Sequence, residues 1–170
     1  MTELDDRQVE ERLLEALSRL IFRDKCLLIN DHNERSITFR LGLYLQKEFR
    51  AFSVDCEYNR IGTDKKFLDE LQHRLHPCCQ NYRLGRKTPK NFRIFPDVIV
   101  HTRGRAGPNL LAIELKKTNN RSGCHKCDIE KLKAYLVHPA LKYGHAAFVE
   151  LVTKSPTPRV KSVTWLCHQA

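Results

Sequence analysis

Apolar positions recur along this chain at two periods, 3.6 and 2, and the switches between them mark out its elements. From about Asp5 to Phe22, Val9, Leu13, Leu17, Leu20 and Ile21 fall at helical spacing with charged residues between them, which predicts an amphipathic helix. Asn30-Asp31-His32-Asn33 reads as a loop with capping chemistry. A second helix is expected from about Glu34 to Phe49, with Ile37, Leu41, Tyr44, Leu45 and Phe49 as its apolar stripe. Phe52 to Arg60 alternates as a strand, Val54, Cys56 and Tyr58 on one face and Asp55, Glu57 and Asn59 on the other.

Residues 61–92 carry little periodicity: a short helix near Phe67 to Leu75, then a basic loop ending in Thr88-Pro89. Two apolar strands follow, about Arg93 to His101 and Leu110 to Lys116, joined by a turn containing Gly104, Gly107 and Pro108. A helix from about Asp128 to Val137 takes Asp128 as its expected N-cap. Strands of about Ala146–Val152 and Val160–Leu166 flank Ser155-Pro156-Thr157-Pro158. The strand–helix–strand unit after Glu114 predicts a right-handed crossover and a parallel pair, hence a mixed sheet covered by helices. The 170 residues read as one α/β domain, with 1–33 as an N-terminal helical extension and 61–92 as a basic insertion.

Charge narrows the partners. Thirty Lys+Arg against twenty Asp+Glu leave +10, which points to a polyanion, nucleic acid being the commonest, and equally to general solubility. The bases are not evenly spread. Arg74, Arg83, Arg86, Lys87, Lys90 and Arg93 crowd the approach to the first apolar strand, and Arg103 and Arg105 sit in the turn after it. No apolar run approaches the length that spans a bilayer, so no membrane partner is expected. The acidic start Met1-Thr2-Glu3-Leu4-Asp5-Asp6 lacks the pattern of a signal peptide, making the cytoplasm the expected address. Seven cysteines then read as reduced thiols.

The chemistry concentrates in the strand pair. One strand opens with Pro96-Asp97 before Val98-Ile99-Val100; the other closes with Glu114-Leu115-Lys116 after Leu111-Ala112-Ile113. Residues two apart on a strand share a face, so Glu114 and Lys116 point the same way, and a hairpin brings Asp97 to them. Pro-Asp as an ordinary turn pair and Glu-Leu-Lys-Lys as a strand reaching solvent are the plain alternatives. Both acids, however, are embedded in apolar strands, where an ionised carboxylate needs a partner. Two carboxylates suit a hard divalent cation, and a lysine beside it suits an attacking hydroxide or the charge of a cleaved phosphodiester. Glu34, seven residues before Leu41, extends the inward stripe of its helix and is expected to add a third carboxylate; its plain alternative is the helix dipole.

Pro96-Asp97, sixteen intervening residues and Glu114-x-Lys116 resemble the PD-(D/E)xK, or restriction-endonuclease-like, nuclease superfamily. Within it the chain looks most similar to small bacterial proteins of undetermined function. Val54-Asp55-Cys56-Glu57-Tyr58-Asn59-Arg60, Pro96 to His101, Asn109 to Lys117 and Asp128-Ile129-Glu130-Lys131-Leu132 carry that likeness. The resemblance implies a three-layer core with a mixed central sheet flanked by helices, Mg²⁺ or Mn²⁺ dependence and endonucleolytic action on DNA. It also implies catalytic roles for Asp97, Glu114 and Lys116, with Glu34 matching the helix acid, and a possible homodimer, since enzymes of this fold often pair to cut two strands. The superfamily also holds members without nuclease activity, so a nucleic-acid-binding or interaction protein is the competing expectation.

Further residues are candidates for nucleic-acid contact: Lys117 after the motif, Arg103, Arg105, Arg86 and Lys87 in the basic segments, and Lys131 with Tyr135. The last two, four apart on one helix face, reach a phosphate or form a solvated Lys and a half-buried Tyr. Asp55 and Glu57 either add to the acidic cluster or pair with nearby arginines, and pairing is preferred. Cys78, Cys79, Cys124 and Cys127, with His73, His76 and His125 near them, offer a structural zinc site whose spacing matches no familiar finger; reduced loop thiols are preferred.

Overall fold

The computed structural model describes residues 4–58, 60–61, 64–65, 96–104, 109–119, 125–138, 141 and 143–167. It begins with α1 (Asp6–Arg23), held at its start by a capping box: Asp5 accepts from the Gln8 amide, and the Gln8 side chain accepts from the Asp5 amide. A short α2 (Lys25–Ile29), which the periodicity did not predict, leads to α3 (Glu34–Glu48). Asn33 caps α3 through Ser36 N–H at 2.8 Å. The strands are β1 (Ser53–Cys56), β2 (Arg60–Ile61), β3 (Asp64–Lys65), β4 (Val98–His101), β5 (Asn109–Lys117), β6 (Tyr143–Val152) and β7 (Arg159–Cys167), with α4 (His125–Val137) between β5 and β6.

Five strands form one mixed sheet in the order β1-β4-β5-β6-β7. β5 and β6 run parallel, as the crossover requires, and the other neighbours are antiparallel. Helices cover both faces. Val98, Val100, Leu111, Ile113, Leu115, Ala147, Val149 and Leu151 pack against α1 and α3, with Leu13, Leu17, Leu41 and Leu45 among the buried partners. On the opposite face Ile99, Ala112, Ala146 and Phe148 meet Leu132, Tyr135 and Leu136 of α4. Strand alternation divides each strand between these two cores, which is why β4 and β5 read as continuous apolar runs. Among the described residues no helix is long and apolar enough to cross a membrane.

Three expectations need correction. The strand read over Phe52 to Arg60 ends at Cys56, because Glu57 takes a left-handed φ of 50° and turns the chain away; Arg60 joins a separate two-stranded ribbon. The helix α4 starts at His125, so Asp128 is a buried residue within it, not an N-cap. Cys127 is disulfide-bonded, not a reduced thiol, and a disulfide sulfur is no zinc ligand; Cys26, Cys56 and Cys167 are free. The expected helix near Phe67 to Leu75, and Arg86, Lys87, Arg105, Cys78, Cys79 and Cys124, lie outside the described residues.

Candidate functional site: a carboxylate–lysine cluster on β4, β5 and α4

β4 pairs with β5 so that Val98 faces Ile113; one step back along that register sets Asp97 opposite Glu114. Asp97 lies on the side of Ile99, and Glu114 and Lys116 on the side of Ala112, so all three belong to the face that α4 covers. Asp97 is fixed by its own acceptance of a hydrogen bond, Leu115 N–H to Oδ2 at 2.8 Å. Its backbone oxygen accepts from the Glu57 amide at 3.1 Å, tying the end of β1 to the same point.

The helix α4 brings two more charges. Lys131 Nζ lies 2.7 Å from Asp128 Oδ1 and 2.9 Å from Glu114 Oε1, with both Lys131 and Glu114 almost fully buried, at 3% and 1% side-chain exposure. Lys116 Nζ lies 3.6 Å from Asp128 Oδ2 and 3.3 Å from Glu34 Oε2. Asp97, Glu114, Asp128 and Glu34 therefore share two ammonium groups, Lys116 and Lys131. Lys131 is close enough to neutralise Glu114 Oε1.

The electrostatics follow from burial and this excess of acid. Burial pushes the Glu114 carboxyl up to about 8, against the pull of Lys131 and with the help of Asp97 and Asp128. Asp97 is raised too, by burial first, and held back by Lys116 and the Leu115 amide. Lys116 behaves oppositely. Burial works against its charge, but Asp97, Asp128, Glu34 and Glu114 together outweigh it and hold the ammonium more firmly protonated than in water.

Access comes from the α3 side. Asn33, Glu34, Arg35, Thr38, Cys56, Glu57 and Asp97 line a cleft of about 520 Å³. The N-terminus of α3 is held at this cleft by a second polar cluster. The Asp31 carboxylate accepts from Lys117 Nζ (2.9 Å), Asn119 Nδ2 (2.7 Å) and Thr153 Oγ1 (2.8 Å). Those bonds hold its chain at a φ of 55° and depress its carboxyl, the Lys117 bond contributing most. Asp24 adds an anchor further along α3 by receiving Arg40 and the Tyr44 hydroxyl.

The structure thus gathers Asp97, Glu114, Lys116 and Glu34, as the sequence suggested, but assigns other expected residues differently. Lys131 and Tyr135 are buried against the sheet, neither phosphate-facing nor solvated. Lys117 is a tether of the Asp31 loop, not a free surface cation. Arg103 is exposed yet pairs with Asp55, which also receives His101 at 2.7 Å, and Arg35 pairs with Glu57 at 2.8 Å, so both acids do meet arginines. Asp128 joins the site although the sequence reading gives it only a capping role. The signal for it is its spacing of three, four and seven from Lys131, Leu132 and Tyr135, one inward face of the helix. No protein-family model matches the chain, and neither a curated protein nor a solved structure matches it.

Proposed function

We propose that this protein is a divalent-metal-dependent nuclease of the PD-(D/E)xK kind, hydrolysing phosphodiester bonds, with DNA as its substrate and the restriction-endonuclease-like core as its fold. One observation carries the reading: Asp97, Glu114 and Lys116 meet on one sheet face beside an open cleft. The succession of α3, the main-sheet strands β1, β4 and β5, α4 and β6, with a parallel β5–β6 pair, supports the same assignment.

Whether the residues suit Mg²⁺ or Mn²⁺ can be judged from their charges. Even with both lysines protonated, the cluster of Asp97, Glu114, Asp128 and Glu34 holds more carboxylates than cations. Among the described residues no three His, Cys, Asp or Glu side chains group at metal-holding distances. Mg²⁺ commonly takes only one or two protein carboxylates and keeps its waters, so Asp97 and Glu114 are the fitting pair. Glu34 already serves Lys116, which argues for a positioning role in place of the third ligand first expected.

A bound cation would supply charge neutralisation and an acidified water. Lys116, kept protonated by its carboxylate neighbours, then acts as a fixed positive charge and hydrogen-bond donor toward the phosphate, not as a base. The net charge of +10 supports a nucleic-acid substrate. A second reading, a nuclease-fold binding module without catalysis, is favoured by Lys131, which sits against the carboxylate that a metal would need.

Titration of Mn²⁺ and Mg²⁺ by calorimetry, on wild type and Asp97→Ala, combined with DNA cleavage assays, separates the two. The nuclease reading expects micromolar-to-millimolar binding lost in Asp97→Ala. It also expects metal-dependent cleavage reduced at least about a hundredfold by Lys116→Ala with DNA binding retained. DNA binding without cleavage under either metal supports the module.

A further inference from the structure

Lys131 is the one buried cation of the site for which the proposed chemistry has no use. At 3% side-chain exposure its Nζ is clamped between Glu114 of β5 and Asp128 of its own helix. A long charged side chain is kept in such a place only when its partners compensate for lost water. Its position is specific: Nζ reaches Oε1 of Glu114, the same carboxylate that the nuclease reading assigns to the divalent cation. Lys116, in contrast, points to Glu34 and Asp128.

Resting on that reading, we propose that Lys131 is a resident counter-ion that competes with the divalent cation for Glu114. The metal displaces the ammonium from Oε1, and Lys131 falls back on Asp128, its nearer partner at 2.7 Å. Two features of the geometry argue for competition over simple structural support. Asp128 holds both lysines and needs no rearrangement to keep Lys131. Asp97, opposite Glu114, is bound by a backbone amide and not by Lys131, which leaves it ready for the cation. The ammonium thus keeps the buried carboxylates together in the absence of metal and weakens metal affinity in its presence. Even at the dielectric of water, a monocation about 5 Å from a dication repels it by roughly tenfold in affinity.

The test measures Mn²⁺ affinity by calorimetry, without DNA, on wild type, Lys131→Gln and Lys131→Met, with folding checked by circular dichroism. Lys131→Gln keeps a donor near Glu114 but no charge; Lys131→Met removes both and carries the test if the first variant does not fold. The expected result is Mn²⁺ binding about tenfold tighter or more in the variants, with a melting temperature in EDTA below wild type and a larger upward shift on adding Mn²⁺. Equal or weaker Mn²⁺ binding in a folded variant, with wild type still binding, overturns the competition and leaves the metal site standing. No Mn²⁺ binding by any of the three proteins overturns the metal site and the competition together.

Discussion

At the residue scale the site is governed by one imbalance, acids outnumbering cations in a buried place. Glu114 is its most sensitive member, because an ionised carboxylate loses more by burial than Lys131 returns. Its carboxyl is raised from an ordinary 4.5 to about 8, so the folded protein keeps a proton that the unfolded chain releases. The resulting stability is fully present below about 4.5 and is lost as pH climbs through about 8. Asp97, raised as well, adds to the same trend. Melting temperatures recorded in EDTA from pH 5 to pH 8 are expected to fall with rising pH in wild type and to fall less in Glu114→Gln, which holds no charge to bury. An identical slope in the two proteins would remove Glu114 from the account.

At the element scale, the position of α3 decides whether Glu34 reaches Lys116. Asn33 caps the helix, the Asp31 cluster ties the loop before it to the ends of β5 and β6, and Arg40 and Tyr44 bind Asp24 after α1. The contact of α3 with β1 is set by Gly42: a Cβ there would stand 2.9 Å from Cys56 Sγ, closer than packed atoms tolerate. Gly42→Ala is therefore expected to destabilise the protein by about 1–3 kcal/mol in urea denaturation, despite alanine's better helix propensity. Cys56→Ala in the same chain removes the colliding sulfur and should recover part of that loss; additive losses instead would place the strain elsewhere. The helix α4 shows how element assignment can mislead about function. Lys131 and Tyr135 do share a face, as their spacing requires, but it is the face turned to the sheet. Spacing fixes which residues are neighbours on a helix and is silent about which side meets water.

At the scale of the whole molecule, charge and fold make separate contributions. The excess of ten positive charges is a property of composition, and it predicts DNA affinity that weakens steeply with salt. If about six phosphates are neutralised, the apparent association constant should drop roughly a thousandfold between about 50 and 200 mM salt, measured by fluorescence anisotropy. A flat salt response would remove nucleic acid as the partner that the net charge suggests. Several cations inside the described structure are already committed to acids: Arg35 to Glu57, Arg40 to Asp24, Arg103 to Asp55, Lys117 to Asp31 and Lys131 to Glu114. Counting basic residues along the chain thus overstates the charge free for phosphate, since acids of the folded chain, exposed as well as buried, already pair with part of it.

The sequence by itself determined the elements with strong periodicity, the mixed sheet implied by one crossover, and the meeting of Asp97 with Glu114 and Lys116. Those outcomes depend on alternation and on pairing between strands close in the chain, and a period of two leaves few registers that bury the apolar residues. Tertiary structure alone decided that Lys131 neutralises Glu114, that Asp128 reaches Lys116, and that Lys117 and Asp31 bind each other across 86 positions. Such contacts join residues from different elements, and no local period encodes them. Their partners are chosen by the cost of leaving a charge unpaired once the helices close over the sheet.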